Sequence, residues 1–208
     1  MEMKYYEDPV PYVVINNFFT QEDIAKLKNE VNFLHINSED SLCLNYKGES
    51  VPSFIDKRKE IWLTSFLQES GIMDAFFEKI NEDKFIKFME GTDTLLGCIN
   101  DTNQTRAIIA FYGDGDYIKG HADLALLTAN LVFSYGDFEG GEFVITNKTT
   151  VGRLGGEVVE KTVPYSNGQL IIFPSKHIHH VNETKCKDGN MESKRISIQF
   201  FCQRTGGM

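Results

Sequence analysis

The hydrophobic period changes at Gly91, and that change constrains the fold of this chain more than any other feature. Before it, apolar residues recur at helical spacing. Ile24, Leu27, Val31 and Leu34 follow Thr20-Gln21-Glu22-Asp23, which reads as a capping-box-like start, so an amphipathic helix is expected over 21–34. Stretches 57–68 and 71–89 also read as helices, the second presenting Ile72, Phe76, Phe77, Ile80, Phe85 and Phe88 on its apolar face. Tyr12-Val13-Val14-Ile15 is a short strand candidate, and the polar stretch 37–54, with Gly48 and Pro52, is expected to form a loop or weak hairpin. After Gly91 come six β-rich runs, 107–112, 131–134, 142–146, 157–163, 170–173 and 195–201, separated by Gly, Asn and Asp. The expectation is an α+β fold, with helices on one side of a β-sandwich or barrel. The 208 residues suit one domain, 1–208, with helical support over about 1–90 and a β-rich core over about 91–203.

Charge and composition exclude several functions. Twenty-one Lys and Arg against thirty Asp and Glu give 21 − 30 = −9, which argues against non-specific binding to nucleic acid or anionic membrane. No apolar run approaches the roughly 20 residues that span a bilayer, and residues 1–12 show no apolar leader core. Cys43, Cys98, Cys186 and Cys202 have no CxxC spacing, as expected of thiols in a reducing, cytoplasmic setting. Trp62 reads as a helix–sheet packing anchor rather than a substrate platform.

The chemistry-bearing residues all lie in the β-rich half. In an extended strand residues i and i+2 share a face, so His121 and Asp123 can aim at one ion while Ala122 points away. A third ligand must come from another strand. His177 and His179 share a face, and His180 lies on the other; His179 is favoured because Val181 continues its apolar side, with His177 as the alternative. Two histidines and one carboxylate form the ligand set of non-haem Fe(II) oxygenases, which leaves positions open on the metal. The separation 179 − 123 = 56 is long enough for strands to cross and return. Arg195 starts a strand just beyond, with Ser197 on its face.

Residues 111–123, Phe-Tyr-Gly-Asp-Gly-Asp-Tyr-Ile-Lys-Gly-His-Ala-Asp, resemble the His-x-Asp segment of 2-oxoglutarate/Fe(II)-dependent dioxygenases of the prolyl 4-hydroxylase type. Gly140-Gly141 is similar to that family's Gly-Gly turn. Residues 168–181 resemble its distal-histidine segment, in which the histidine stands five residues after the proline, as His179 stands after Pro174. Arg195-Ile196-Ser197 matches its Arg-x-Ser. The connection 195 − 179 = 16 is longer than usual for the family and reads as a surface loop insertion. Arg195 is preferred over Lys194, because a planar guanidinium can take a carboxylate bidentately.

The resemblance implies a double-stranded β-helix (a jelly-roll, cupin-like core) with N-terminal helices packed on one sheet. It implies His121, Asp123 and His179 as the Fe(II) ligands and catalytic centre. Arg195, Ser197 and Tyr112 would hold 2-oxoglutarate, with O2 as oxidant and ascorbate as a further reductant. Asn130 and Leu131 are further pocket candidates. The implied reaction is hydroxylation of a C–H bond with release of succinate and carbon dioxide. The nucleic-acid demethylases of this superfamily carry a second arginine where this chain has Phe201, so a prolyl or other residue of a protein or peptide is the favoured substrate. A small molecule or nucleic acid as substrate remains an alternative, as does a non-catalytic metal-binding or interaction module. Segment 37–54 is a candidate flap over the substrate.

Overall fold

The computed structural model describes residues 1–44, 50–53, 55–63, 70–149, 157–187 and 190–204. The chain opens with β1 (Glu2–Tyr6), β2 (Tyr12–Asn16) and α1 (Gln21–Ile36). Five short strands follow: β3 (Glu39–Asp40), β4 (Leu42–Leu44), β5 (Ser50–Pro52), β6 (Asp56–Lys57) and β7 (Lys59–Trp62). Then come α2 (Gly71–Ile80), α3 (Asp83–Glu90) and a single turn, α4 (Thr94–Gly97). The β-rich half contains β8 (Gln104–Tyr112), β9 (Tyr117–His121), β10 (Leu127–Phe133), β11 (Phe138–Gly140) and β12 (Phe143–Thr149). It finishes with β13 (Glu160–Val163), β14 (Gln169–Pro174), β15 (His177–Val181), β16 (Thr184–Cys186) and β17 (Arg195–Gln203).

These strands build two main antiparallel sheets. The larger has eight strands in the order β1-β2-β14-β10-β17-β8-β7-β3, and the smaller has five in the order β13-β12-β15-β9-β6. Alternation along the strands gives the larger sheet two buried faces. Val13, Ile15, Ile109, Phe111, Leu170, Ile172, Ile196, Ile198 and Phe200 join the helices in one core. Tyr12, Val14, Ala110, Tyr112, Ile171 and Phe173 point the other way, to meet Ile118, Phe143, Ile145 and Val181 of the smaller sheet. Burial on both faces explains why these strands read as continuous apolar runs.

Helix α1 forms as expected. Asp23 Oδ2 accepts from the Thr20 amide at 2.7 Å while the Asp23 amide donates to Thr20 Oγ1 at 3.2 Å, and Ile24, Leu27, Val31 and Leu34 are its buried residues. Three readings of the first ninety residues are corrected. The expected helix over 71–89 is two helices, α2 and α3, joined at Asn81-Glu82. At about 100° per residue, Phe76 and Phe85 would face opposite sides of one straight helix. The break lets both reach the core, where each is 0% exposed.

Of the expected helix over 57–68, Lys57 and Lys59–Trp62 are strand, in β6 and β7, while Leu63 is helical and residues 64–69 lie outside the described residues. Pairing of Ile61 with Ile109 and of Trp62 with Ile108 lengthens the larger sheet, and this overrides the helix propensity of the lysines and glutamate. Trp62 is therefore no helix–sheet anchor. It is 42% exposed on an outer strand, its ring 5.8 Å from that of Phe201. The first ninety residues consequently contribute strands β1, β2, β3 and β7 to the main sheet as well as helices. The 37–54 stretch does hold a weak hairpin, β4 with β5, around residues outside the described set. Among the described residues no helix is long and apolar enough to cross a membrane.

Candidate metal centre

The smaller sheet brings His121 and His179 together: β9 and β15 pair with these two residues directly opposite each other, ring centroids 4.4 Å apart. Asp123 lies just past the end of β9, where its amide donates to the Ser175 carbonyl at 2.9 Å. One ligand atom from each of the three residues lies within 4.8 Å of the others. The carboxylate spans the pair, with Oδ1 3.5 Å from His121 Nε2 and Oδ2 3.3 Å from His179 Nε2. His177 lies outside this group; its ring is buried elsewhere, with Nδ1 unmatched by any acceptor or donor among the described residues.

Both histidines are oriented the same way. Nδ1 of His121 stands 2.9 Å from the Lys119 carbonyl, and Nδ1 of His179 stands 2.9 Å from the His177 carbonyl. A carbonyl only accepts, so Nδ1 carries the proton in each ring and Nε2 offers its lone pair. Phe143 and Phe173 pack against His179, with centroids at 5.7 and 4.7 Å. Two imidazole lone pairs and a carboxylate gathered in so small a volume could hold a metal ion between them. The donor set suits Fe(II), and cis donors about 3 Å apart match metal–ligand bonds of about 2.1 Å.

The carboxylate is held from behind. Thr128 Oγ1 donates to Asp123 Oδ2 at 2.7 Å and stands 2.8 Å from Ser175 Oγ. Burial alone would raise the Asp123 carboxyl, but the His121 and His179 rings and the Thr128 hydroxyl outweigh it and hold the group well below the usual carboxylate range.

Arg195, Ser197 and Tyr112 come from the larger sheet, where Arg195 pairs with Tyr112 across β17 and β8. Arg195 is 1% exposed, and its Nε and Nη1 have no hydrogen-bond acceptor among the described residues. Its guanidinium carbon lies 4.9 Å from the Tyr112 ring centroid. A buried cation with idle donors is costly unless an anion completes it, so the arrangement fits a carboxylate ligand. Gly141, at φ 66°, lies against this side chain: a Cβ there would stand 2.8 Å from Arg195 Cδ and 2.9 Å from Thr184 Oγ1. Ser197 donates to Asn130 Oδ1 at 2.6 Å, both side chains buried. Lys194 is half-buried. The long connection before Arg195 is partly ordered, since β16 pairs with β11 beside the Gly140-Gly141 turn.

Sequence alone does not mark Thr128, Ser175 or Arg58 as site residues. Thr128 had a signal, an inward-alternating polar residue on a strand just after Asp123. Arg58 had none, because its segment read as helix. A cleft of about 190 Å³ opens beside the triad, lined among others by His121, Asp123, Arg58, Trp62 and Phe201.

Residues 107–203 match the model of the 2OG-Fe(II) oxygenase superfamily, a stretch that contains all three triad residues as well as Tyr112, Arg195 and Ser197. This β-rich part of the chain is thus similar to a superfamily of oxygenases that use Fe(II) and 2-oxoglutarate. No curated protein matches the chain. Among solved structures, a Pseudomonas putida prolyl-4-hydroxylase is 15% identical, with 94% of this chain and 93% of that one covered at a TM-score of 0.55. The viral collagen prolyl hydroxylase of Paramecium bursaria Chlorella virus-1 is 14% identical, with 92% and 96% covered and a TM-score of 0.52. SnoN, an alpha-ketoglutarate-dependent epimerase of nogalamycin biosynthesis, is 10% identical, with 93% and 77% covered and a TM-score of 0.57. At these identities the likeness is one of fold.

Proposed function

We propose that this chain is a 2-oxoglutarate-dependent hydroxylase acting on a C–H bond of a prolyl or other residue in a protein or peptide, with succinate and carbon dioxide as co-products. One observation carries the reading: a His-Asp-His cluster on the smaller sheet faces a larger sheet that buries a guanidinium with idle donors. In this reading the two sheets are the halves of a double-stranded β-helix, residues 1–208 form one domain, and the setting is cytoplasmic.

His121 Nε2, His179 Nε2 and one Asp123 oxygen would hold Fe(II), which when bound supplies oxygen activation coupled to decarboxylation of 2-oxoglutarate. Arg195 would take the distal carboxylate of 2-oxoglutarate through Nε and Nη1, with Tyr112 and Ser197 beside it. Phe143, Ile145, Ile171 and Phe173 form an apolar wall that limits water near the reacting atoms. Thr128 and the two backbone carbonyls keep the ligand atoms aimed at one point.

The peptide reading draws support from the prolyl hydroxylases among the fold relatives, the acidic net charge and Phe201 in place of a second arginine. A small-molecule substrate is the second reading, favoured by the likeness to SnoN. Segment 37–54 would serve as a flap over the substrate, and peptide plus co-substrate should then protect it from proteolysis. Anaerobic addition of Fe(II) and 2-oxoglutarate should produce a visible charge-transfer band that is lost in Asp123→Ala; no band in the wild-type protein rules the oxygenase out. A peptide library read by mass spectrometry for one added oxygen then separates the substrate readings. Turnover of small molecules alone would overturn the peptide one.

A further inference from the structure

Arg58, which lies outside the residues matched to the family, lines the cleft beside the triad and reaches Tyr112 through one hydrogen bond. Its side chain is 6% exposed and all three of its guanidinium nitrogens are committed. Nε donates to Asp56 Oδ2 at 3.0 Å, Nη2 pairs with Glu60 Oε2 at 3.0 Å, and Nη1 donates to the Tyr112 hydroxyl oxygen at 2.8 Å. Tyr112 thus lies between two guanidiniums, with Arg58 Cζ 5.6 Å and Arg195 Cζ 4.9 Å from its ring centroid. The two cations differ in kind. Arg58 has a partner at each nitrogen, two carboxylates and the phenol oxygen, whereas Arg195 is buried with Nε and Nη1 unmatched among the described residues.

Guanidinium has no acceptor, so the Tyr112 oxygen must accept from Arg58. That leaves the single phenolic proton to be donated elsewhere. We infer that Arg58 is a positioning residue for the co-substrate: it pins the Tyr112 oxygen as an acceptor on one side, so that the phenol donates to the carboxylate gripped by Arg195. The inference rests on the function proposed above. Asp56 and Glu60 keep Arg58 from competing for that carboxylate, because two carboxylates already balance its charge. The anion therefore has one cation to choose, and the pocket one orientation to impose.

The test is a double-mutant cycle read by calorimetric titration of 2-oxoglutarate into protein loaded with Mn(II), which binds without turnover. Arg58→Lys keeps the charge but cannot reach all three partners from one nitrogen, and Tyr112→Phe removes the hydroxyl. Each single variant should weaken 2-oxoglutarate binding about tenfold or more, and the double variant should be no weaker than Tyr112→Phe alone. Arg58→Met combined with Asp56→Asn and Glu60→Gln removes the cluster without leaving a buried charge. It covers the case in which Arg58→Lys fails to fold, and it should show the same loss. Unchanged affinity in a folded Arg58 variant, or losses that simply multiply in the double variant, would overturn the inference while leaving the oxygenase reading intact. Wild-type protein that binds Mn(II) but no 2-oxoglutarate would overturn both.

Discussion

The Thr128 hydroxyl donates to Asp123 Oδ2 at 2.7 Å, and this bond joins the two sheets at the metal centre. Thr128 lies on β10 of the larger sheet, whereas Asp123 follows β9 of the smaller one. Ser175 completes the link, since it contacts Thr128 through Oγ and accepts the Asp123 amide through its carbonyl. The carboxylate is thus clamped at side chain and backbone by the sheet that does not carry the histidines.

Replacing Thr128 with valine preserves shape but removes the clamp. Mn(II) affinity measured by titration calorimetry should fall about 10–100-fold, and Thr128→Ser should restore most of it. A Thr128→Val protein that binds metal like the wild type would mean that the backbone contact alone fixes the carboxylate.

Gly141→Ala should strike the co-substrate pocket rather than the metal. The positive φ costs an L-residue about 1–2 kcal/mol, and the new methyl group meets Arg195 and Thr184. Thermal stability should drop and 2-oxoglutarate affinity should fall, with Mn(II) affinity unchanged. Lower stability with intact co-substrate binding would reduce Gly141 to a turn residue.

Phe200 and Phe76 stack with centroids 3.7 Å apart and planes 8° apart, where β17 meets α2. Phe200→Ala should cost about 3–5 kcal/mol in urea unfolding. It points away from the face that carries Ser197 and Gln199, so metal affinity of the remaining folded protein should hold. A loss below about 1 kcal/mol would mean that the helical layer closes over the gap.

Acid should weaken the start of α1. Burial would raise the Asp23 carboxyl, but the Thr20 amide and hydroxyl and the Lys79 ammonium more than offset it and hold the group below its ordinary value. Its unfolded value is about 3.9. The ionised form therefore stabilises the fold in full above that pH, and the contribution is lost as pH falls through the lower folded value. Asp23→Asn should cost about 1 kcal/mol at pH 6 and progressively less toward pH 3, a convergence visible in Tm against pH. Parallel curves would show that the cap works through geometry alone.

Much of this molecule is legible in single residues. His121 and Asp123 are marked as a candidate pair by local spacing, because strand alternation places i and i+2 on one side, and the same alternation narrows the third candidate to His179 or His177. The periodicity of Ile24, Leu27, Val31 and Leu34 likewise located α1 to within two residues of its end. Residues 57–62 read as helix because lysine and glutamate favour helix locally, whereas pairing with β9 and β8, far along the chain, makes Lys57 and Lys59–Trp62 strands. The split between α2 and α3 is invisible in the sequence for a related reason: both helices are apolar at helical spacing, and what breaks them apart is where the core lies.

Taken alone, the amino-acid order determined the α+β character and marked His121, Asp123, His179 and Arg195 as candidates, since each reading depends on residue type and on neighbours a few positions away. The tertiary structure decided the rest: that Thr128 clamps Asp123, that Arg58 reaches Tyr112 across 54 positions, and that Arg195 is left without an acid partner among the described residues. Contacts across that much sequence depend on which strands become neighbours, and that is settled by burying two apolar faces at once rather than by any local pattern.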